Sequence, residues 1–410
     1  MIFTERVNAL KRRFWFVLFL LLVPLLLASC RREEPAEIEV EAPPVFERDE
    51  AYDENEPTEL SEYIDKYDFY WQEDGTFFVA AGGNRFRTSL VVPDSYNGVA
   101  VTGVAEGAFE SCTRLLHVTL PQSVATIGER AFNGCTALET VILSDHLISI
   151  GSRAFSDCAA LTELTLPASL DTIGEYAFYG CAALTELTVP AHVTALEYGA
   201  FYGCAGLQTI TVTSAETELG DGLFAQCTSL RSATLPDGVT VISADLFNGC
   251  SSLERFTVPD TVTLIGRNAF SGCRALTAVT LPAALKNIDP GAFEGCGSLT
   301  EIALPDTVER IEYGCFRNCL LLERVTLSAA LTSISASAFR GCMSLTEITI
   351  PAGVTNVGQG AFMGCDLLKA VHFETTAGWY AYSTGDTVAV ADPAAAAAFL
   401  CADATGIARH

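Results

Sequence analysis

Twelve thiols recur every 23 residues: Cys112, Cys135, Cys158, Cys181, Cys204, Cys227, Cys250, Cys273, Cys296, Cys319, Cys342 and Cys365. Thiols in a regular array can crosslink in pairs, bind a metal as clustered thiolates, or pack singly as small apolar groups. Side chains at equivalent positions of a stacked repeat point in parallel, with Cβ atoms about 5 Å apart at strand spacing. A disulfide holds them at about 3.8 Å. Metal binding wants ligands clustered at short spacing, and the sequence has none. The regular cysteines therefore read as free, buried thiols. Cys315 is additional, four residues before Cys319, where a local bridge is open; Cys401 has no evident partner.

Other chemistry is sparse. Five histidines, His117, His146, His192, His372 and His410, are scattered along the chain. There is no H-E-x-x-H, Walker loop, dinucleotide glycine motif or G-x-S-x-G elbow. The glycines of 81–84 lack a following lysine. The reading is a non-enzyme with no cofactor and no metal. A formal net charge of −26 over 410 residues excludes a nucleic-acid binder, whose partner needs a basic surface.

The elements that place these thiols follow from one unit, AFSDCAALTELTLPASLDTIGEYAF around Cys158. Leu161, Leu164 and Leu166 make an L-x-x-L-x-L strand signature. Leu164 and Leu166 share one strand face, and Glu163 and Thr165 the other. Pro167, with no ladder donor, closes the strand. Leu170 and Ile173 follow, then Gly174 at a bend, and Gly174 to Cys181 reads as one short helical turn. A Phe precedes every regular cysteine by three residues, from Phe109 to Phe362, and a Leu follows each by three. A single unit cannot bury these side chains, so neighbours must stack around one core. Each fully buried side chain contributes roughly 1.5–3 kcal/mol of gross transfer energy. The expected fold is a leucine-rich-repeat solenoid, β-rich with short helical turns, with a parallel strand ladder on one face and caps at both ends.

The recurring Ile-Gly-x-x-Ala-Phe-x-Gly-Cys, as in IGERAFNGCTALETVIL, resembles the BspA-like leucine-rich repeats of bacterial surface proteins, a class also seen in Treponema. The resemblance runs from about residue 90 to 373. VVPDSYNGVAVTGVAEGAF resembles the first coil of that family, with a five-residue excess around Asp94–Gly98. It implies a secreted or surface-exposed protein that binds host proteins, matrix components or other cells.

The ends read differently. Residues 1–29 combine Lys11, Arg12 and Arg13 with an apolar run from Phe14 to Leu27. This is the pattern of a signal peptide. The run ends LLASC, resembling a bacterial lipoprotein processing site, so Cys30 is the expected lipid attachment residue. Residues 30–62 are acidic and proline-bearing and read as a disordered tether. Residues 63–108 are the expected N-terminal cap and first coil, with a hairpin turning at Asp74–Gly75. The repeats of 23 residues occupy 109–373. The C-terminal cap is 374–410, with strands at Trp379 to Tyr382 and Thr387 to Val390 and a helix begun by Asp392–Pro393.

The outward strand positions form two columns. One is mostly threonine, which suits a strand and carries no ligand signal of its own. The second is mixed, and its polar members His117, Glu163, Glu186, Arg255, Glu301, Arg324 and Glu347 are the candidate binding residues of the strand face. A candidate aromatic patch, Tyr176, Tyr179, Tyr198 and Tyr202, lies on the turn side. In TVTSAETELGDGLFAQC, Thr213 replaces the strand-end proline and Glu216 stands where Val or Leu is usual. The loop should therefore shift outward, leaving Glu216, Glu218 and Asp221 as an acidic spot.

The expected function is a lipid-anchored, outer-membrane cell-surface solenoid that binds host or bacterial surface proteins, in the manner of an adhesin. A periplasm-facing scaffold and a glycan-binding surface protein are the alternatives.

Overall fold

The structure is a computed structural model that describes residues 66–214, 216–381, 388, 390–402 and 406–409. The signal segment 1–29, Cys30 and the tether lie outside the described residues.

Successive 23-residue coils stack in register. The front ladder runs from Ser89–Val91 and His117–Thr119 through Glu186–Val189 and Thr209–Val212 to Glu347–Ile350 and Ala370–Phe373. Where its strands pair they do so in parallel at a shift of one coil, as Glu186 with Thr209 and Thr349 with His372, in five short sheets of two or three strands. At Glu163 the strand shrinks to a single bridge with Thr140. Phe178 and Ile173 are fully buried, and Leu164 packs half-buried against the core.

A second parallel ladder lies where the isoleucine column ends each coil. It is built of two-residue strands, among them Thr126–Ile127, Ser149–Ile150, Thr172–Ile173 and Ala195–Leu196. Two residues are too few for a readable alternation, so the sequence shows the buried column without its strand. Gly174 follows this strand because the coils approach closely there, not because the chain bends. A Cβ at 174 would lie 2.6 Å from the backbone nitrogen of Ser152.

The helical turn of each coil takes the i→i+3 form. Ala177 donates to Gly174 (3.2 Å), Tyr179 to Tyr176 (3.0 Å) and Cys181 to Phe178 (3.2 Å). The alternate amides leave the coil: Phe178 donates to Ala200 (2.8 Å) and Gly180 to Tyr202 (2.9 Å). Each coil is thus hydrogen-bonded to its neighbour along a third side. The alternation requires left-handed backbone two residues before and two after the phenylalanine. Gly199 (φ +57°) and Gly203 (φ +73°) meet that need without a Cβ.

The core is a file of twelve phenylalanines. Ring centroids of successive members, from Phe109 to Phe362, stand 4.9–5.9 Å apart with near-parallel planes. Beside it runs the cysteine file. All described cysteines are free thiols, Cys315 and Cys319 included. Each regular thiol from Cys135 to Cys365 donates to the carbonyl of the phenylalanine 26 residues earlier, at 3.1–3.3 Å. Cysteine is small, apolar and a weak donor, which suits this position.

At the N-terminal side the hairpin Asp68–Trp71 and Phe77–Ala80 extends the second ladder through Val99–Val104, and Phe69 stacks on Tyr96 at 4.0 Å. At the other side Ile407–Arg409 pairs antiparallel with Asn356–Val357 and with Trp379–Ala381. A helix, Pro393–Ala402, follows Asp392, whose carboxylate accepts from the amides of Ala394 (2.9 Å) and Ala395 (3.3 Å).

Candidate recognition surfaces

Alternation along the front strands determines what faces outward. In Glu186–Val189 the residues are in turn exposed, buried, exposed, buried. The same pattern puts His117, Glu163, Glu186, Arg255, Glu301, Arg324 and Glu347 on the exposed front wall. Stacking makes residues 23 apart into neighbours. Arg324 reaches Glu301 Oε2 at 2.7 Å and Glu323 at 3.6 Å. His117 Nδ1 lies 2.9 Å from the Thr140 hydroxyl. Glu347 lies 3.9 Å from His372 of the threonine column. Glu163, Glu186 and Arg255 make no ion pair among the described residues, so their charge is open to a partner. The Glu301 carboxylate holds the Arg324 guanidinium above its ordinary pKa.

The four tyrosines come together on the turn side. Tyr179 and Tyr202 stack with centroids 5.5 Å apart, and Tyr176 meets Tyr179, Tyr198 and Tyr202 edge-on at 5.6, 5.2 and 6.2 Å. The Arg153 guanidinium sits over the Tyr176 ring at 5.4 Å. Tyr176 holds a left-handed backbone (φ +54°), which is unfavourable for a bulky residue. Burial among these rings, with a hydrogen bond to Tyr198 second, pushes its phenol up to about 12. Much of the ring surface is spent within the cluster, which leaves less of it free for a flat ligand.

The irregular coil resolves by a one-residue substitution of roles. Thr217, not Glu216, takes the inward slot, and its hydroxyl donates to the Val193 carbonyl at 2.6 Å. Thr213, in place of proline, donates to Val189 at 2.8 Å. Glu216, Glu218 and Asp221 are all exposed. Asp221 accepts from the Ala244 amide at 3.0 Å. Among the described residues no cluster of His, Cys, Asp and Glu could hold a metal.

Residues 102–383 match, in overlapping segments of 102–231, 149–277, 217–342 and 263–383, the family described as BspA type leucine rich repeat region, in six copies. The chain is similar to a leucine-rich repeat protein from Bacteroides ovatus, at 28% identity over 75% of this chain and 87% of that one, with a TM-score of 0.61. It is also similar to a leucine rich cell surface protein from Faecalibacterium prausnitzii, at 26% identity over 76% and 94%, with a TM-score of 0.50. The pneumococcal vaccine antigen PcpA shares the fold, at 23% identity over 75% and 79% and a TM-score of 0.50. No curated protein matches the chain.

Proposed function

The chain belongs to the BspA-type leucine-rich repeat family, and on that premise we propose that it is a lipid-anchored cell-surface protein that binds host or bacterial surface proteins across its front wall. Solenoids of this class use an extended, regular surface for recognition. The observation that carries the reading is the wall itself: a continuous run of outward side chains whose charges at Glu163, Glu186 and Arg255 are left open. Such charges steer encounter and select partners more than they add affinity. Cys30 carries the lipid in this reading. No helix among the described residues is long and apolar enough to cross a membrane.

A pull-down from host serum and matrix extracts with the immobilised chain tests the binding. Retained proteins that are lost from a Glu163→Ala/Glu186→Ala/Arg255→Ala variant, with an unchanged melt, are the expected result. Retention that ignores those substitutions would overturn the wall as the binding face. Protease treatment of whole cells separates surface display from a periplasmic scaffold, because an inward-facing chain survives it.

A further inference from the structure

The two residues after each regular cysteine form the corner that leads into the front strand. In most coils they are small or polar: Thr136 and Ala137, Ala159 and Ala160, Ser251 and Ser252, Gly297 and Ser298. In the last three coils large apolar residues enter the corner, beside Ser344 and Asp366. Leu320 and Leu321, Met343, and Leu367 are 42, 50, 49 and 52% exposed. The corners stack: the Leu321 amide donates to Gly297 and the Ser344 amide to Leu320, each at 3.2 Å. These side chains therefore lie along one corner edge of the solenoid, interspersed with Ser344 and Asp366.

Beside that edge, an open trough crosses the front face. It begins at Leu367 and Ser344, passes Glu323, Arg324 and Glu347, and ends at Asp306 and Glu374. Four carboxylates line it against one guanidinium, and that guanidinium is already engaged by Glu301 and Glu323. The far carboxylates are held in place by backbone amides. Asp306 accepts from Ala329 (3.0 Å) and Glu374 from Ala352 (2.9 Å).

We propose that this trough is the docking site for a cationic, amphipathic polypeptide segment, one with lysine or arginine alternating with apolar residues. The inference rests on the protein-binding reading and adds to it, on the C-terminal part of the same wall, one further site with one partner chemistry. Basic side chains meet the carboxylates while apolar ones cover Leu321, Met343 and Leu367. Methionine adapts to varied apolar shapes, which suits a docking edge. A second copy of this chain does not fit, because its net charge of −26 opposes the trough.

The test measures fluorescence anisotropy of two synthetic peptides, one alternating lysine and valine and one alternating glutamate and valine, at physiological salt. The full chain should bind the first and not the second. Leu321→Ser/Met343→Ser/Leu367→Ser and Glu323→Gln/Glu347→Gln should each weaken binding by about tenfold or more. Glu139→Gln/Glu254→Gln is the comparison: these residues occupy the same repeat position as Glu323 in coils with small corners, and the variant should bind within about twofold of the parent. An equal loss in that variant would reduce the effect to diffuse charge attraction and overturn the site. So would trough variants that bind like the parent, or no binding of the lysine peptide. Proteins retained in the pull-down by trough variants but not by the Glu163, Glu186 and Arg255 variant would sink the trough alone. A parent chain that retains nothing would sink the protein-binding reading itself.

Discussion

The thiol of Cys181 donates to the carbonyl of Phe155, 3.2 Å away in the preceding coil. The same carbonyl accepts the amide of Cys158 at 3.2 Å, so one oxygen ties the turn of its own coil and the side chain of the next. Cys181→Ala removes the donor and leaves a small void. The expected cost is about 1–2 kcal/mol, read as a lower urea midpoint at unchanged slope. Burial also pushes Cys158 up to about 12 and raises Cys181 and Cys227. Iodoacetamide at pH 8 should therefore modify half-buried Cys401 before the fully buried Cys158, Cys181 and Cys227. Peptide mapping of the alkylated native chain checks the order, and early labelling of Cys181 or Cys227 would contradict it.

Arg324 and Glu301 are 67 and 61% exposed despite their 2.7 Å contact. Exposed pairs contribute about 0–1 kcal/mol. Glu301→Ala should therefore leave the thermal melt almost unmoved. It should leave Arg324 to Glu323 alone, so any loss of partner binding from Arg324→Ala ought to differ in a Glu301→Ala background. A double-mutant cycle on binding reads that coupling.

Tyr176 gives a pH signature. Its phenol is neutral in the folded chain up to about 12, whereas an unfolded tyrosine titrates near 10. The unfolded state therefore loses its proton first. The contribution to stability is complete below about pH 10 and is lost as pH rises from there through about 12. Tyr176→Phe should flatten that part of the stability curve. Ultraviolet difference titration should show a late-ionising tyrosine that the variant lacks.

Thr217 and Glu216 should respond in opposite ways to truncation. Thr217→Ala leaves the Val193 carbonyl without its 2.6 Å donor and should cost about 1–3 kcal/mol. Glu216 is exposed, so Glu216→Ala should shift stability by less than about 0.5 kcal/mol. Chemical denaturation of the two variants separates them.

Phe178, Ile173 and Cys181 could be placed inside from the 23-residue period alone. A repeat that must bury the same side chain against its own copy leaves no second solution, so the stacked core, the exposed wall and the free thiols follow from spacing. The second ladder did not follow, because Thr172–Ile173 is too short to alternate. Only packing revealed that Gly174 serves close approach, and that Thr217 replaces Glu216 in the inward slot. The apolar corner at Leu321, Met343 and Leu367 was equally hidden. Each residue alone is an ordinary departure from the repeat, and they become one surface only when coils 23 residues apart in the chain come to lie side by side. Local pattern decides which way a side chain points, but its neighbours across coils belong to the tertiary structure.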